Sequence, residues 1–229
     1  MIKKNLDKII VGLILVLTIA GVYSNILQQK AVDQSKLPEK VEEDGGFQRW
    51  ITNLKNKELD IEADEFRLQE ENEIYNTRWM KVFSIDNPEV EEIYENTLGQ
   101  VKDTEKVIFS PSERLFIDYR QMERDDYEPN EVRFYGQRED KVIDARVVDC
   151  SVRANCYFDR AFFLDNDLFV ITEISRTIDK KDENAPKCSV NEECEYSFKL
   201  HLIDLINNQR LVYESEPFTA VLSELKPEL

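Results

Sequence analysis

The four cysteines of this chain fall in two pairs of identical spacing, Cys150–Cys156 and Cys188–Cys194. In an oxidising compartment an even number of closely spaced cysteines reads as local disulfides. Four cysteines allow three pairings, and the crossed ones stay open if the two loops are neighbours in space. Each short loop would remove roughly 2 kcal/mol of freedom from the unfolded chain, enough to rigidify a loop. Zinc is the competing use of such thiols, but structural zinc sites space paired cysteines more tightly than these. Reactive-thiol or serine chemistry would need a histidine. The chain has one, His201, at a polar-phase position of the strand pattern Phe198–Leu205. Nothing marks a nucleophile for it.

Other chemistry is thinly represented. Six glycines and no glycine-rich phosphate loop argue against a nucleotide site. Calcium loops of the EF-hand type are missing, and Asp165-Asn166-Asp167 reads as a hairpin turn. No cofactor and no metal is expected. With 47 acids in the chain, some carboxylates must stand at glycosidase spacing by chance. An envelope hydrolase using a carboxylate pair is therefore the alternative reading, with no pair singled out. Two charged loops are the candidate contact regions. One is Gln121–Glu131, with Asp125, Asp126 and Tyr127; the other is Arg176–Glu195, with Lys187, Glu192 and Glu193. Loops of this length on a rigid scaffold commonly carry contacts.

The elements that must position these residues begin with a greasy leader. Ile9–Leu27 is apolar apart from Thr18, Tyr23, Ser24 and Asn25, and Lys3, Lys4 and Lys8 precede it. As a helix it would be roughly 28 Å long, close to the thickness of a thin bilayer. Basic residues before such a run favour a cytoplasmic N-terminus. The expectation is a single-pass anchor with a tail at 1–8, a span at 9–27 and the remainder extracytoplasmic. A cleaved signal peptide, with Val22 and Ser24 before the cut, is the competing reading and would leave the protein secreted.

The chain carries a net charge of −17. Beyond residue 30 there are 26 basic and 46 acidic residues, a balance of −20. So negative a surface repels phosphate backbones and anionic headgroups, which argues against nucleic-acid binding and against lipid adsorption by the folded part. Enough residues follow the leader for one domain with a real core.

Residues 28–44 are polar and read as a linker. Phe47, Trp50, Ile51 and Leu54 then form one helical stripe with Asp44 as N-cap, predicting a short amphipathic helix within 45–58. From 59 to 229 the pattern has period two, with turn signals between short runs. Hairpins are expected at Met80–Ile85 with Val90–Tyr94, at Phe162–Leu164 with Leu168–Thr172, and at Phe198–Leu205 with Arg210–Glu214. A further pair of runs lies within Val107–Tyr119. Val107–Tyr119 parallels Phe162–Thr172, and Met80–Tyr94 parallels Leu200–Tyr213, giving three similar blocks at about 59–96, 107–149 and 157–216.

The segments Phe109-Ser110-Pro111 ahead of Leu115, and Leu202-Ile203-Asp204-Leu205 ahead of Arg210-Leu211-Val212-Tyr213, resemble blades of a β-propeller. The resemblance implies antiparallel strand order within blocks, and no ligand or reaction. Propellers close with about four blades or more, so a β-sandwich of the same hairpins stands beside it. The expected protein is mainly β, with antiparallel hairpins in three blade-like blocks. Its expected function is a membrane-anchored binding or scaffold module of the cell envelope. The partner would be an unknown protein or surface polymer, with self-association as a further possibility.

Overall fold

The computed structural model describes residues 17, 18, 21, 33–75, 78–120, 130–151, 153, 155–176 and 188–226. The chain divides into two compact units, Met1–Ser35 and Lys36–Leu229. In the first, Leu17, Thr18 and Gly21 are helical, and Ser35 donates from its backbone N to Asp33 Oδ1 at 3.0 Å. The expected span at 9–27 otherwise lies outside the described residues. Among the described residues, no helix is long and apolar enough to cross a membrane.

The second unit is mainly β and is built from two antiparallel sheets. Its elements in chain order are α1 (Glu39–Glu42), α2 (Gly45–Asn56), β1 (Arg67–Glu73), β2 (Met80–Ser84), α3 (Pro88–Val101), β3 (Val107–Phe109), β4 (Leu115–Asp118), β5 (Glu131–Arg138), β6 (Lys141–Asp149), β7 (Cys156–Asp165), β8 (Leu168–Arg176), β9 (Glu193–Asp204), β10 (Gln209–Glu214), β11 (Phe218–Val221) and α4 (Leu222–Leu225). The first sheet has the order β1-β10-β9-β8-β7, with β11 also on β9; the second has the order β2-β6-β5-β4-β3.

These sheets are the middle of a layered packing. One face of the first sheet carries Phe162, Val170, Ile174, Phe198, Leu200, Leu202 and Tyr213, which pack with Phe47, Trp50, Ile51 and Leu54 of α2. The other face carries Phe169, Ile171 and Ile203, which meet Ile117, Phe134 and Ala145 of the second sheet. Phe134 stacks on Phe169 across that interface, with ring centroids 6.2 Å apart. The outer face of the second sheet receives α3, whose Tyr94 lies 6.3 Å from Tyr135 and donates its hydroxyl to Arg114 O at 3.0 Å. A strand covered on both faces loses its polar phase, and β8 accordingly is buried from Phe169 to Ser175.

The helix expected from the Phe47 stripe is present as α2, and Asp44 Oδ1 accepts from the backbone of Gly46 and Phe47. The expected linker 28–44 needs correction at its end, because Leu37 and Val41 are buried in the α2 core and α1 lies within it. Leu37 lies just ahead of Pro38, the N-cap of α1, and Val41 lies on α1 itself.

The three-block arrangement is corrected more heavily. β1 joins β10 in one sheet while β2 joins β6 in the other, so block 59–96 is split between sheets. Nor are Met80–Ile85 and Val90–Tyr94 a hairpin. Val90–Tyr94 belongs to α3, with Asn87 as N-cap accepting from Glu89 N and Pro88 at the first helical position. Asn-Pro serves a turn and a helix start equally well, and the spacing of Val90, Ile93, Tyr94, Thr97 and Leu98 decides for helix. The hairpins β3–β4, β7–β8 and β9–β10 do form.

Gly46 and Gly136 are glycines their surroundings require; a Cβ on Gly46 would stand 2.7 Å from Phe162 Cγ. The φ of Gly136 is +156°, and a Cβ there would stand 2.4 Å from Arg114 O, just ahead of the neighbouring β4. An isolated glycine in a strand marks such a close backbone approach.

Candidate functional site

Two features of the domain carry chemistry: a buried charge centre under the first disulfide, and an apolar edge on β2 that no other described strand covers. The charge centre is built on the inner face of the first sheet. The register pairs Ile171 with His201 and Glu173 with Lys199, so Glu173 and His201 lie on one face of adjacent strands, directed at the second sheet. Glu173 is fully buried and His201 is 3% exposed. The loop closed by Cys150–Cys156 lays Arg153 over them. Arg153 Nη1 and Nη2 donate to Glu173 Oε1 and Oε2, both at 2.8 Å, and Nη2 also reaches Cys150 Sγ at 2.9 Å. His201 Nε2 lies 2.8 Å from Glu173 Oε2.

Burial alone would raise the Glu173 carboxyl, but the His201 hydrogen bond and the Arg153 charge outweigh it and hold it well below the ordinary value. Burial pushes His201 down, against the pull of Glu173, and leaves it neutral near pH 7. An ionised carboxylate only accepts, so Nε2 carries the imidazole proton. His201 Nδ1 then faces the interior with no hydrogen-bond partner. Cys150 Sγ, Cys156 Sγ and a Glu173 oxygen lie within 4.8 Å of one another. With the two sulfurs bonded together and both carboxylate oxygens on Arg153, the guanidinium already supplies the positive charge a metal ion would bring. This centre is a locked ionic clasp between a loop and a strand.

The structure joins Cys150 to Cys156 and Cys188 to Cys194, with Cα separations of 5.7 and 6.6 Å. The two loops are neighbours, which was the condition for crossed pairing. Asn155 Nδ2 donates to Cys188 O and Cys188 N donates to Asn155 Oδ1, both at 2.8 Å. Cys150 N also donates to Asn130 O at 2.7 Å. The residues that border both expected contact loops, Asn130 and Cys188, are thus tied together through the first disulfide loop. Asp125, Asp126, Tyr127 and Lys187 themselves lie outside the described residues. Glu192 is exposed and its carboxylate accepts from Ser189 N at 3.1 Å, while Glu193 opens β9 and pairs with Val221.

His201 needs correction, since its polar-phase position faces a second sheet and not solvent. Sequence reasoning also passed over Arg153 and Glu173. The signal was present: Glu173 is the lone acid in the run Leu168–Ile174, where an isolated charge implies a partner. The hydrolase reading called for converging acids with a raised carboxyl in a cleft. The Glu65 carboxyl is raised, by burial and by Asp64, Glu62 and Asp60, and it stands on the short 3-10 turn Ala63–Glu65.

The second feature is the edge of the second sheet. Trp79, Val82 and Phe83 are 41%, 46% and 44% exposed. Arg146 N donates to Trp79 O and Ile85 N donates to Asp140 O, both at 3.0 Å. In an antiparallel ladder hydrogen-bonding direction alternates, so odd-numbered residues of β2 face β6. Met80 and Val82 therefore turn their N–H and C=O groups away from β6, while Ser84 O accepts from Asn87 N at 3.4 Å in the turn that leads into α3. The β1 edge of the other sheet contrasts with this, carrying Glu70, Glu71 and Glu73, charges that discourage strand addition. Trp79 is gripped by cations, with the guanidinium of Arg146 3.6 Å and that of Arg78 4.6 Å from its ring centroid.

The domain is mainly β, with two antiparallel sheets and no closed barrel among the described residues. No family model, no curated protein and no solved structure matches this chain.

Proposed function

We propose that this protein is a binding or scaffold module of the cell envelope, held at the outer face of a membrane by residues 9–27. The observation that carries the reading is the β2 edge: backbone groups of Met80 and Val82 that no other described strand pairs, beside three large exposed apolar side chains, on a strongly acidic chain. Exposed apolar groups at a sheet edge are the ordinary means by which β proteins add a partner. Two disulfides fit an extracellular or oxidising compartment and support the outward placement. The buried clasp supports a binding role in a different way: its histidine and carboxylate are engaged in holding a loop. Asp125, Asp126, Tyr127, Lys187 and Glu192, with Glu193 at the start of β9, are secondary contact residues in this reading. Anchoring confines the search for a partner to the membrane plane and raises effective concentration there.

The test is topological. Full-length protein with a C-terminal tag is expressed, intact cells are treated with protease, and thiols are alkylated without reductant. Membrane-bound protein whose tag is digested from outside, with its cysteines unlabelled, is expected. Soluble protein inside the cell with four labelled thiols overturns the reading.

A further inference from the structure

We infer that the cleft between the β1–β10 end of the first sheet and the β2–β6 end of the second binds a small organic carboxylate, a singly charged acid with an apolar body, through the guanidinium of Arg210. The cleft measures about 290 Å³ and has Arg210 and Ile74 on one side and Trp79 and Val147 on the other. It is distinct from the backbone edge of β2, and its binding of a carboxylate does not depend on the compartment.

Arg210 pairs with Ile203 in the β10–β9 register, so it shares the inner face of the first sheet with Ile203 and His201. Its side chain is only 23% exposed, and among the described residues it makes no hydrogen bond. Its one ion-pair partner, Glu70 Oε2, lies 4.0 Å away and accepts instead from Asn72 Nδ2 at 3.1 Å. Burial lowers the Arg210 pKa against the pull of Glu70 and Glu173, and Arg153 adds to the fall. The surrounding protein therefore under-compensates this guanidinium. A guanidinium presents its donors in a rigid fork, and a carboxylate fills two of them side by side. Arg146, across the cleft, is already engaged. It pairs with Asp149 at 2.8 Å and Glu131 at 3.5 Å, and its guanidinium stands 3.6 Å from the Trp79 ring centroid, which holds the indole as a wall. Ile74 and Val147, both buried, supply apolar contact. Glu73 and Asp149 also line the cleft and disfavour a doubly charged anion such as phosphate. With a net charge of −17 on the chain, affinity for any anion is modest.

Isotope-labelled full-length protein in detergent micelles is titrated with benzoate, with benzamide and with inorganic phosphate. The chain has two tryptophans, so the readout is the pair of indole N–H resonances, assigned with Trp79→Phe. Benzoate should shift the Trp79 signal saturably, with a dissociation constant of about 1 mM or tighter. Benzamide has the same shape without the charge, and it and phosphate should bind about tenfold more weakly or worse. Arg210→Gln should lose about tenfold or more in benzoate affinity. It should keep or raise the melting temperature, because the fold loses no hydrogen bond with that side chain. If Arg210→Gln fails to fold, the comparison of benzoate with benzamide on the wild type decides. Four results overturn the inference: no saturation with benzoate, benzamide binding as well as benzoate, phosphate binding more tightly, or a shift confined to Trp50. So does an Arg210→Gln protein that melts lower yet binds benzoate as the wild type does, since Arg210 would then be a structural residue only.

Discussion

Replacing Glu173 with Gln isolates the energetic role of the buried clasp. The carboxylate is fully buried and accepts from Arg153 twice and from His201 once, each at 2.8 Å. Glutamine keeps one acceptor oxygen and turns an NH2 toward a guanidinium, so donor meets donor. Breaking one partner of a fully buried ion pair costs about 3–5 kcal/mol. Arg153 is 38% exposed on its side chain and can turn to water, which lowers the figure to roughly 3 kcal/mol. For a domain of this size that corresponds to a fall of about 6–12 °C in melting temperature. The assay is urea unfolding followed by tryptophan fluorescence, for wild type, Glu173→Gln, Arg153→Met and the double variant. The double-mutant cycle should return a coupling of roughly 1–2 kcal/mol. The sign with pH follows from the depressed carboxyl of the native state. Its contribution is complete above the unfolded value of 4.5 and fades as pH falls. The gap between wild type and Glu173→Gln should therefore narrow by about 1.4 kcal/mol per pH unit below that value. His201, neutral in the native state, makes the stability of both proteins fall with pH below its unfolded value of 6.5. An undiminished gap at pH 3, or strictly additive single variants, would refute the clasp.

Other perturbations probe the scaffold. Gly136→Ala drives a methyl into Arg114 O on the neighbouring chain segment and should cost about 2–4 kcal/mol in the same urea assay, with Gly99→Ala on α3, where the added methyl meets open space, neutral or stabilising. Trp50→Phe keeps the edge contact with Phe198 but deprives Asp159 of its 2.8 Å indole hydrogen bond, so a loss of about 1–2 kcal/mol is expected. Replacing Cys188 and Cys194 together by Ser opens a short loop and should lower stability by roughly 2 kcal/mol, read as a shift in the denaturation midpoint.

Much of the local structure is legible directly in the chain. The Phe47, Trp50, Ile51, Leu54 stripe behind Asp44 specifies α2, because a helix end and an apolar face are both encoded within a dozen residues. The β9–β10 hairpin is equally legible, since its turn and both alternating runs are contiguous. Val90–Tyr94 misleads because Asn87-Pro88 suits a turn as well as a helix start, and a five-residue window holds too little period to separate them. The charge centre is half visible: Glu173 and His201 are each conspicuous, but the loop residue Arg153 carries no mark of its destination.

Sequence by itself determined which residues alternate, where the chain turns, how strongly acidic the surface is and which cysteines lie close enough to meet. Tertiary structure alone decided that β1 leaves its neighbour β2 to join β10, that both faces of β8 are covered, and that β2 stands at the end of the described second sheet. The reason is physical. Alternation fixes which side of a strand is apolar, and this can be satisfied by many partners. The partner itself is chosen by the simultaneous packing of Phe134 on Phe169 and of Trp50 on Phe198, contacts between residues far apart along the chain.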